Sequence, residues 1–389
     1  MSSTVSIIGW HHSRFGRLEA PDTTALMTEV VPGALAHAGI DADAVDGIYA
    51  GVYNNGFSRQ DFQAALVGVG VPALAGTPAT RLENACATGS AALYAACDFV
   101  DSGRGRVALV VGAEKMTGVP TARAGEILLS GCYEPEEADV DGGFAGVFAG
   151  IARAYAERYG DPSDAMARIA AKNHRNGVSN PYAQLRKDLG SDFCSTVSER
   201  NPIVASPLRR TDCSLISDGA VAIVVASEDV ARTAPQRVRF RARAHANDPL
   251  PLSRRDPLEF SGVRRAWADA LEQAALTTTD LDLIETHDCF TIAELLQYEA
   301  FGLAERGQGH RVLADGLTEP DGKLPVNRSG GLKAKGHPIG ATGVSMHAIA
   351  AMQVTGTAGD MQLPVADVAG VFNMGGAAVA NYASVLEAW

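Results

Sequence analysis

The sequence has no excess of basic residues and no long apolar segment. Its 389 residues include 33 Lys and Arg against 45 Asp and Glu, which gives a net charge of −12. A surface for nucleic acid or for anionic membranes needs clustered basic residues, so neither partner is expected. No apolar run approaches the roughly eighteen residues of a membrane span, and the opening Met1-Ser2-Ser3-Thr4-Val5-Ser6 lacks the basic and apolar regions of a signal peptide. These absences predict a cytoplasmic protein.

Cysteine is scarce and shows no pairing pattern. The six cysteines form no Cys-x-x-Cys pair and no closely spaced disulfide framework: Cys86, Cys97, Cys132, Cys194, Cys213 and Cys289. We therefore expect reduced thiols, and all but Cys86 and Cys289 are interpreted as structural. No third and fourth ligand stand at usable spacing from His287 and Cys289, and no dinucleotide fingerprint follows a strand. The sequence predicts neither a metal nor a bound cofactor.

Apolar runs of strand length alternate with helical patterns along the chain. The runs Arg106 to Ala113 and Ala220 to Ala226 are apolar almost throughout, which is typical of strands covered on both faces of a sheet. The stretches Thr24 to Gly39 and Ser261 to Ala275 have helical patterns. With 46% hydrophobic residues, the chain can form a large α/β core.

A sequence of strand, loop and small-residue helix occurs twice, which predicts two similar halves packed together. We place the N-terminal half at residues 1–229 and the C-terminal half at residues 230–389. From about residue 117 to 206 the periodicity breaks up and charge, proline and glycine increase, which indicates a subdomain inserted in the first half. Its helix from Phe144 to Tyr159 carries aromatic residues suited to packing on a partner.

The run Asn84-Ala85-Cys86-Ala87-Thr88-Gly89-Ser90 places a cysteine between a predicted strand and a helix of small residues. The continuation Ala91-Ala92-Leu93-Tyr94-Ala95-Ala96 has no charge on any face, so this helix is expected to be buried on all sides. Unpaired N–H groups and the positive end of the helix dipole favour thiolate over thiol at such a start. Cys86 is therefore a candidate nucleophile.

Two further segments carry histidine beside glycine, proline or cysteine. One is Gly336-His337-Pro338-Ile339-Gly340-Ala341-Thr342-Gly343, which precedes another small-residue helix, and the other is Glu285-Thr286-His287-Asp288-Cys289-Phe290. Together with the Cys86 run, these motifs and their order resemble the thiolase superfamily over essentially the whole chain. The His-Asp-Cys-Phe variant is similar to the sterol-carrier-protein type of thiolase, an acetyl-CoA C-acyltransferase.

The resemblance implies a thiolase fold, in which duplicated βαβαβαββ halves form a five-layered α/β/α/β/α sandwich. It also implies Claisen condensation of acyl-CoA, or thiolytic cleavage of a 3-ketoacyl-CoA by coenzyme A, through an acyl-cysteine intermediate. Acyl-CoA and CoA are then substrates rather than resident cofactors. The residues that contact CoA are not identified, because the inserted subdomain matches no motif.

The same resemblance implies a role for each polar residue of these loops. Cys86 is the nucleophile, His337 is the base that accepts its proton, and Cys289 is the acid or base at the α-carbon. His287, together with His337, is assigned to one oxyanion hole. The backbone N–H groups of Cys86 and Gly375 are assigned to the other.

The last loop departs from the pattern of most thiolases. Most members have a cysteine there, as Cys-x-Gly, whereas this sequence has Asn373-Met374-Gly375. Cys289 supplies a second thiol from another loop, an exchange that relatives of the sterol-carrier type share. We therefore expect an active enzyme.

The sequence leaves two other functions open. One is a thiolase-fold retro-aldolase or C-acyltransferase that acts on a steroid or phenolic substrate, although the retention of Cys86, Cys289 and His337 argues against the aldolase. The other is a non-catalytic scaffold subunit for a small partner protein.

The segment Thr80-Arg81-Leu82-Glu83 reads as extended and has no obvious partner in its own half. In the family, the strand beside the nucleophile helix pairs across a two-fold axis. An exposed strand edge is costly, and a second copy would cover it. We therefore expect a homodimer or a homotetramer.

Overall fold

The computed structural model describes residues 5–389, so the first four residues of the predicted N-terminal half lie outside the described range. Over this range the strands are β1 Val5–His12, β2 Gly47–Gly51, β3 Ala79–Leu82, β4 Val107–Lys115, β5 Ile203–Ala205, β6 Leu208–Arg209, β7 Asp218–Ser227, β8 Val238–Asn247, β9 Leu283–Thr286, β10 Val368–Gly375 and β11 Ala380–Ala388. The helices are α1 Thr23–Ala38, α2 Leu66–Gly70, α3 Thr88–Asp101, α4 Thr121–Leu129, α5 Glu134–Glu137, α6 Gly143–Tyr159, α7 Ser163–Gly177, α8 Ser191–Ser195, α9 Glu228–Ala231, α10 Ser261–Ala274, α11 Thr291–Ala300, α12 Gly309–Ala314, α13 Gly331–Ala334 and α14 Ile339–Val354. None of these helices is long and apolar enough to cross a membrane.

Nine strands form one large sheet in the order β3-β2-β4-β7-β1-β8-β11-β10-β9. The first five positions hold strands of the N-terminal part, and the last four hold strands of the C-terminal part. Within the described part of the sheet, the two groups are joined by the short pairing of β1 with β8, in which Ser6 lies opposite Arg239 and Ile7 opposite Val238. Strands β4 and β7 are buried almost throughout, as their apolar runs predicted, and β10 and β11 are buried to the same extent.

The helices lie in three layers around the two strand groups. Helix α1 packs against β1, β4 and β7, whereas α10 packs against β8 and β11. Helices α3 and α14 pack against each other between the groups, and α14 contacts strands of both. Tyr94 on α3 also reaches the C-terminal group, since its hydroxyl donates to the Ala383 carbonyl at 2.6 Å. The predicted thiolase fold with five α/β/α/β/α layers is confirmed.

The small residues of α3 and α14 allow these two helices to touch through their backbones. A Cβ atom on Gly343 would lie 2.3 Å from the Ser90 amide nitrogen, and one on Gly89 would lie 2.8 Å from the Val344 nitrogen. Both distances are too short for any side chain. All sixteen residues of α14 are buried. Larger side chains would therefore separate the two helices that carry the candidate motifs at their starts.

The inserted segment covers the His-Asp-Cys-Phe loop. On α6, the rings of Phe144 and Phe148 lie 6.1 and 4.5 Å from the ring of Phe290, centroid to centroid. Both α6 rings are buried in this contact. Tyr155 is buried as well, whereas Tyr159 at the end of the helix is half-buried, so the expectation that this helix packs on a partner stays a prediction.

Candidate active site

A tight turn holds Cys86 two residues before the start of α3. Ala85 has φ of 48°, in the left-handed region that a non-glycine residue rarely adopts. The Thr88 hydroxyl accepts from the Asn84 amide at 2.8 Å and donates to the Ala85 carbonyl at 2.6 Å. The turn therefore presents the Cys86 thiol at one fixed place between the strand groups.

Burial raises the pKa of Cys86 to about 12. The backbone N–H groups of Gly376 and of Cys86 itself lower this pKa, but by less than burial raises it. The expectation of a thiolate is therefore wrong for the free protein, because the loss of water around the sulfur outweighs the local backbone donors. Cys86 is a thiol at rest and needs a base.

Three buried polar groups from the three motifs converge here. The sulfur of Cys86 and one ring nitrogen each of His287 and His337 lie within 4.8 Å of one another. The two imidazole rings are 5.1 Å apart and nearly perpendicular, at 84°. On both rings Nε2 is buried and has no hydrogen-bond partner within residues 5–389. Each ring therefore carries an unpaired polar nitrogen, on residues that meet the Cys86 thiol.

The neighbours of His337 place its proton on Nδ1. The Thr342 hydroxyl lies 2.7 Å from Nδ1 and also donates to the Pro338 carbonyl at 3.0 Å. A proton on Nδ1 satisfies both contacts, since the hydroxyl oxygen then accepts from Nδ1–H while its own proton points to the Pro338 carbonyl. Burial lowers the pKa of His337 to about 3, and the Lys335 ammonium adds to the effect. His337 is thus neutral and presents the lone pair of Nε2 to Cys86, as a base must.

The neighbours of His287 place its proton on the opposite atom. Asn373 Nδ2 lies 3.3 Å from the Cys86 carbonyl oxygen and 2.8 Å from His287 Nδ1. Since the carbonyl can only accept, the side that faces both atoms is the NH₂ group, and Nδ1 accepts from it. Ser90 donates to the other end of the amide at 2.8 Å. His287 therefore presents Nε2–H to the site as a donor.

Burial, together with the charges of His337 and Lys335, lowers the pKa of His287 well below its usual value. The site thus combines a neutral acceptor imidazole with a neutral donor imidazole beside one thiol. The three ligand-type atoms are close enough for a metal ion. A proton on Nε2 of His287 opposes that use, because a metal needs the lone pair of this atom. The absence of a metal site stays a prediction.

Cys289 lies beside this group of three without belonging to it. Its thiol is buried, and its charge interacts with that of Cys86. Burial, then Cys86 and Asp288, raise its pKa well above the usual value. Cys289 is a second neutral thiol, able to donate a proton before it can accept one.

Hydrogen bonds fix the His-Asp-Cys-Phe loop to its neighbours. The carboxylate of Asp288 accepts from the Leu332 and Lys333 amides at 2.6 and 3.2 Å, at the start of α13. The side chain of Gln297 on α11 clamps the backbone of His287, donating to its carbonyl at 2.8 Å and accepting from its amide at 3.2 Å. Asp288 and Gln297 therefore position the loop without entering the site.

Two family models match nearly the whole chain. One described as "Thiolase, N-terminal domain" matches residues 5–229, and one described as "Thiolase C-terminal domain-like" matches residues 244–388. The chain belongs to the thiolase family. This finding confirms the resemblance drawn from the three motifs, and the two matched ranges together leave only the segment between them and the extreme ends uncovered.

Named relatives match nearly the full length of this thiolase-family chain. It is 36% identical to an acetyl-CoA acetyltransferase of Methanothermobacter thermautotrophicus, over 96% of each chain. It is 33% identical to human sterol carrier protein 2, over 95% of this chain and 70% of that protein. The solved structure of an Ltp2-ChsH2(DUF35) aldolase superposes with a TM-score of 0.81 at 22% identity, covering 100% and 98% of the two chains. The last likeness concerns the fold alone.

Sequence reasoning missed one buried carboxylate near the thiolase motifs. Glu114 at the end of β4 accepts from the amides of Tyr53, Asn54 and Gly340 at 2.9 to 3.1 Å. Burial raises its pKa to about 7 despite these donors. Glu114 thus connects the end of β2 to the start of α14, directly after His337. The signal for it was an acidic residue at the end of an apolar strand.

The glycines of the last loop approach the nucleophile closely. A Cβ atom on Gly375 would lie 2.3 Å from the Asn84 carbonyl oxygen, so no side chain fits there. The amide that acts on the Cys86 sulfur belongs to Gly376, one residue beyond the predicted donor. The role of Gly375 as an oxyanion donor stays a prediction.

Space beside the Cys86 thiol is narrow and apolar. A cavity of about 10 Å³ touches Cys86 and is walled by Leu128, Phe144 and Ile339, among others. An open cleft of about 620 Å³ adjoins it and shares Tyr53, Ala85, Gly131 and Gly376 with it. The cleft gives access from solvent, whereas the cavity has room for little more than one small group.

Proposed function

We propose that the protein is a CoA-dependent C-acyltransferase of the acetyl-CoA C-acyltransferase type. It would condense two acyl-CoA molecules, or cleave a 3-ketoacyl-CoA in the reverse direction. The observation that carries the proposal is the meeting of a thiol, an acceptor imidazole and a donor imidazole within 4.8 Å. Each of these groups is needed for one part of the chemistry.

In the first half-reaction, the Cys86 thiol gives its proton to Nε2 of His337 and its sulfur attacks the thioester carbon of an acyl-CoA. The bond between that carbon and the CoA sulfur breaks. The departing CoA thiolate takes a proton from the Cys289 thiol. An acyl-cysteine, an imidazolium at His337 and a thiolate at Cys289 result, so charge is balanced within the buried site.

In the second half-reaction, the Cys289 thiolate removes a proton from the α-carbon of a second acyl-CoA. His287 donates from Nε2 to the thioester oxygen as negative charge develops there. The carbanion attacks the acyl carbon, the bond to Cys86 sulfur breaks, and His337 returns the proton to that sulfur. Before it returns this proton, the His337 imidazolium can donate from Nε2 to the thioester oxygen, which agrees with its predicted place in the oxyanion hole.

An acetyl donor fits the space beside the nucleophile. The cavity that touches Cys86 has a volume of about 10 Å³ and is enclosed by apolar side chains, which favours a short acyl group. The relatives named acetyl-CoA acetyltransferases support the same choice. All six cysteines are free, which is consistent with the cytoplasmic location that the proposal includes.

Incubation with acetyl-CoA, followed by intact-protein mass measurement, tests the proposal. We expect one acetyl group per chain, and a much lower yield with a long-chain acyl-CoA, because Phe144 and Leu128 leave no room for it. An aldolase acting on a steroid or phenolic substrate, or a scaffold subunit, forms no acyl adduct. Absence of an adduct with acyl-CoA of every chain length would overturn the assignment.

The proposal includes a homodimer formed through β3. This strand lies at one end of the sheet and pairs only with β2, through Ile48 to Gly51, within the described chain. Ala79 and Thr80 on it are exposed. Antiparallel pairing with a second copy would satisfy the free edge next to the Cys86 turn.

We expect light scattering at micromolar concentration to give about twice the chain mass of 40.6 kDa. Ala79→Pro should shift this mass toward the monomer, because the Ala79 amide faces away from β2 and proline removes this donor from the free edge. A fully active protein of 40.6 kDa would contradict the dimer. A tetramer would use the outer surface of α6, where Tyr159 is half-buried and the other three aromatic residues are buried.

A further inference from the structure

We propose that Asn373 is a positioning residue that holds His287 in the tautomer whose Nε2–H faces the substrate. The inference rests on the proposed function, and it concerns the position at which most thiolases have a cysteine. It assigns a role to Asn373, the residue that differs from the pattern of most thiolases. Its task is to supply the proton arrangement which the donor role of His287 requires.

Two hydrogen bonds, besides the one to His287, orient the Asn373 amide. The Cys86 carbonyl requires an NH₂ group at 3.3 Å, and Ser90 donates to the opposite oxygen at 2.8 Å. That oxygen lies at the crossing of α3 and α14, where a Cβ atom on Gly343 would approach it to 2.5 Å. The backbone of Asn373 is fixed as well, because β10 pairs with β11 at Tyr382. A flipped amide would place its oxygen against the Cys86 carbonyl oxygen and lose that hydrogen bond, whereas the Ser90 hydroxyl can also accept from the NH₂ group of the flipped amide.

Asn373 is the only hydrogen-bond partner of the His287 ring within residues 5–389. Gln297 binds the backbone of His287 and leaves the ring alone. A neutral imidazole carries its proton on either nitrogen, and the partner of one nitrogen decides the state of the other. With an NH₂ group at Nδ1, the proton must be on Nε2.

The opposite tautomer would disable the site. A lone pair on Nε2 of His287 would point at the thioester oxygen and repel its growing negative charge. The site would also then hold two acceptor imidazoles, since Nε2 of His337 is already an acceptor. Control of the tautomer at His287 is therefore as important as the residue itself.

The exchange of cysteine for asparagine is explained by the presence of histidine at position 287. An asparagine in place of His287 would have its donor and acceptor on separate atoms and would need no control of a tautomer. A thiol at position 373 has one weak proton and could not serve both the Cys86 carbonyl and Nδ1 of His287. Asn373 has two donors on one nitrogen and serves both.

Nitrogen NMR of protein labelled at histidine tests the tautomer directly, without substrate. The His287 signals can be assigned through their loss in His287→Gln. We expect a pyridine-type Nδ1 and a pyrrole-type Nε2 in the wild type. In Asn373→Asp a carboxylate faces Nδ1 and the two types should exchange, whereas Ser90→Ala, the matched control, should keep the wild-type pattern because the Cys86 carbonyl still orients the amide.

Kinetics supply a second readout. Asn373→Asp should lower kcat for condensation and thiolysis roughly a hundredfold, the size of one lost oxyanion donor, while Cys86 still accepts an acetyl group. Asn373→Ala should lower kcat less than Asn373→Asp does, because His287 can then adopt both tautomers. Lowering the pH should restore activity to Asn373→Asp selectively, because the imidazolium again carries a proton on Nε2.

The proposal is overturned by a protonated Nδ1 in the wild type, or by an unchanged His287 pattern in Asn373→Asp. It is also overturned if Asn373→Ala and Asn373→Asp reduce acetylation and condensation equally with no change in pH profile. The wild-type spectrum shows which nitrogen of His287 carries the proton, so it tests the proposal even if an Asn373 variant fails to fold. If His287 carries its proton on Nε2 but the protein forms no acyl adduct, the proposed function is wrong, whereas the role of Asn373 in fixing the tautomer is still supported.

Discussion

Cys86→Ala should abolish both acyl transfer and the acetyl adduct. The covalent intermediate needs a sulfur next to a base, and in the described chain Cys86 is the cysteine whose sulfur lies within 4.8 Å of a ring nitrogen of His337. Its pKa of about 12 makes this dependence stronger, since a thiol that is neutral at rest reacts only where a base can take its proton. The measurement is intact-protein mass after incubation with acetyl-CoA, together with a condensation assay.

Cys97→Ala is the matched control for this variant. Cys97 is a fully buried thiol on the same helix that Cys86 precedes, and it packs in the apolar core away from the motifs. Its replacement should leave the adduct complete and cost only stability, on the order of 1 kcal/mol for a small core truncation. A full adduct in Cys86→Ala would show that another residue is the nucleophile.

Cys289→Ala should leave acetylation of Cys86 measurable and reduce condensation and thiolysis by roughly a hundredfold or more, the usual effect of losing a general acid or base. Acetylation survives because the CoA thiolate can depart without the Cys289 proton. Carbanion formation is lost in this variant. Most thiolases have their second cysteine at position 373, but Asn373 has no titratable group that could replace Cys289.

The rate of acetylation in a single turnover, compared with the steady-state rate of condensation, shows whether Cys289→Ala affects the second step more than the first. Cys289→Ser separates chemistry from packing, since a hydroxyl keeps the volume but is far too weak an acid for the step. We expect the serine variant to lose as much turnover as the alanine variant. Unchanged condensation in either protein would mean that another group moves the α-proton.

Much of the fold is readable because its signals are local. The apolar run from Arg106 to Ala113 becomes the buried β4, Val107–Lys115, and the uncharged stretch after Cys86 becomes the buried α3. Strand and helix periodicities depend on neighbouring residues, so one sequence suffices to find them. The three motifs likewise identify the loops that meet. The Cys86 run, His-Asp-Cys-Phe and Gly-His-Pro are rarely found together in this order by chance.

The sequence by itself determined the alternation of strands and helices, the thiolase motifs and the residues that carry them. Only the tertiary structure decided their protonation. The start of α3 suggested a thiolate at Cys86, but burial from all sides makes it a thiol, and this desolvation comes from residues distant in the chain. The tautomers of His287 and His337 depend in the same way on single contacts to Asn373 and Thr342, since one hydrogen bond fixes which ring nitrogen keeps the proton.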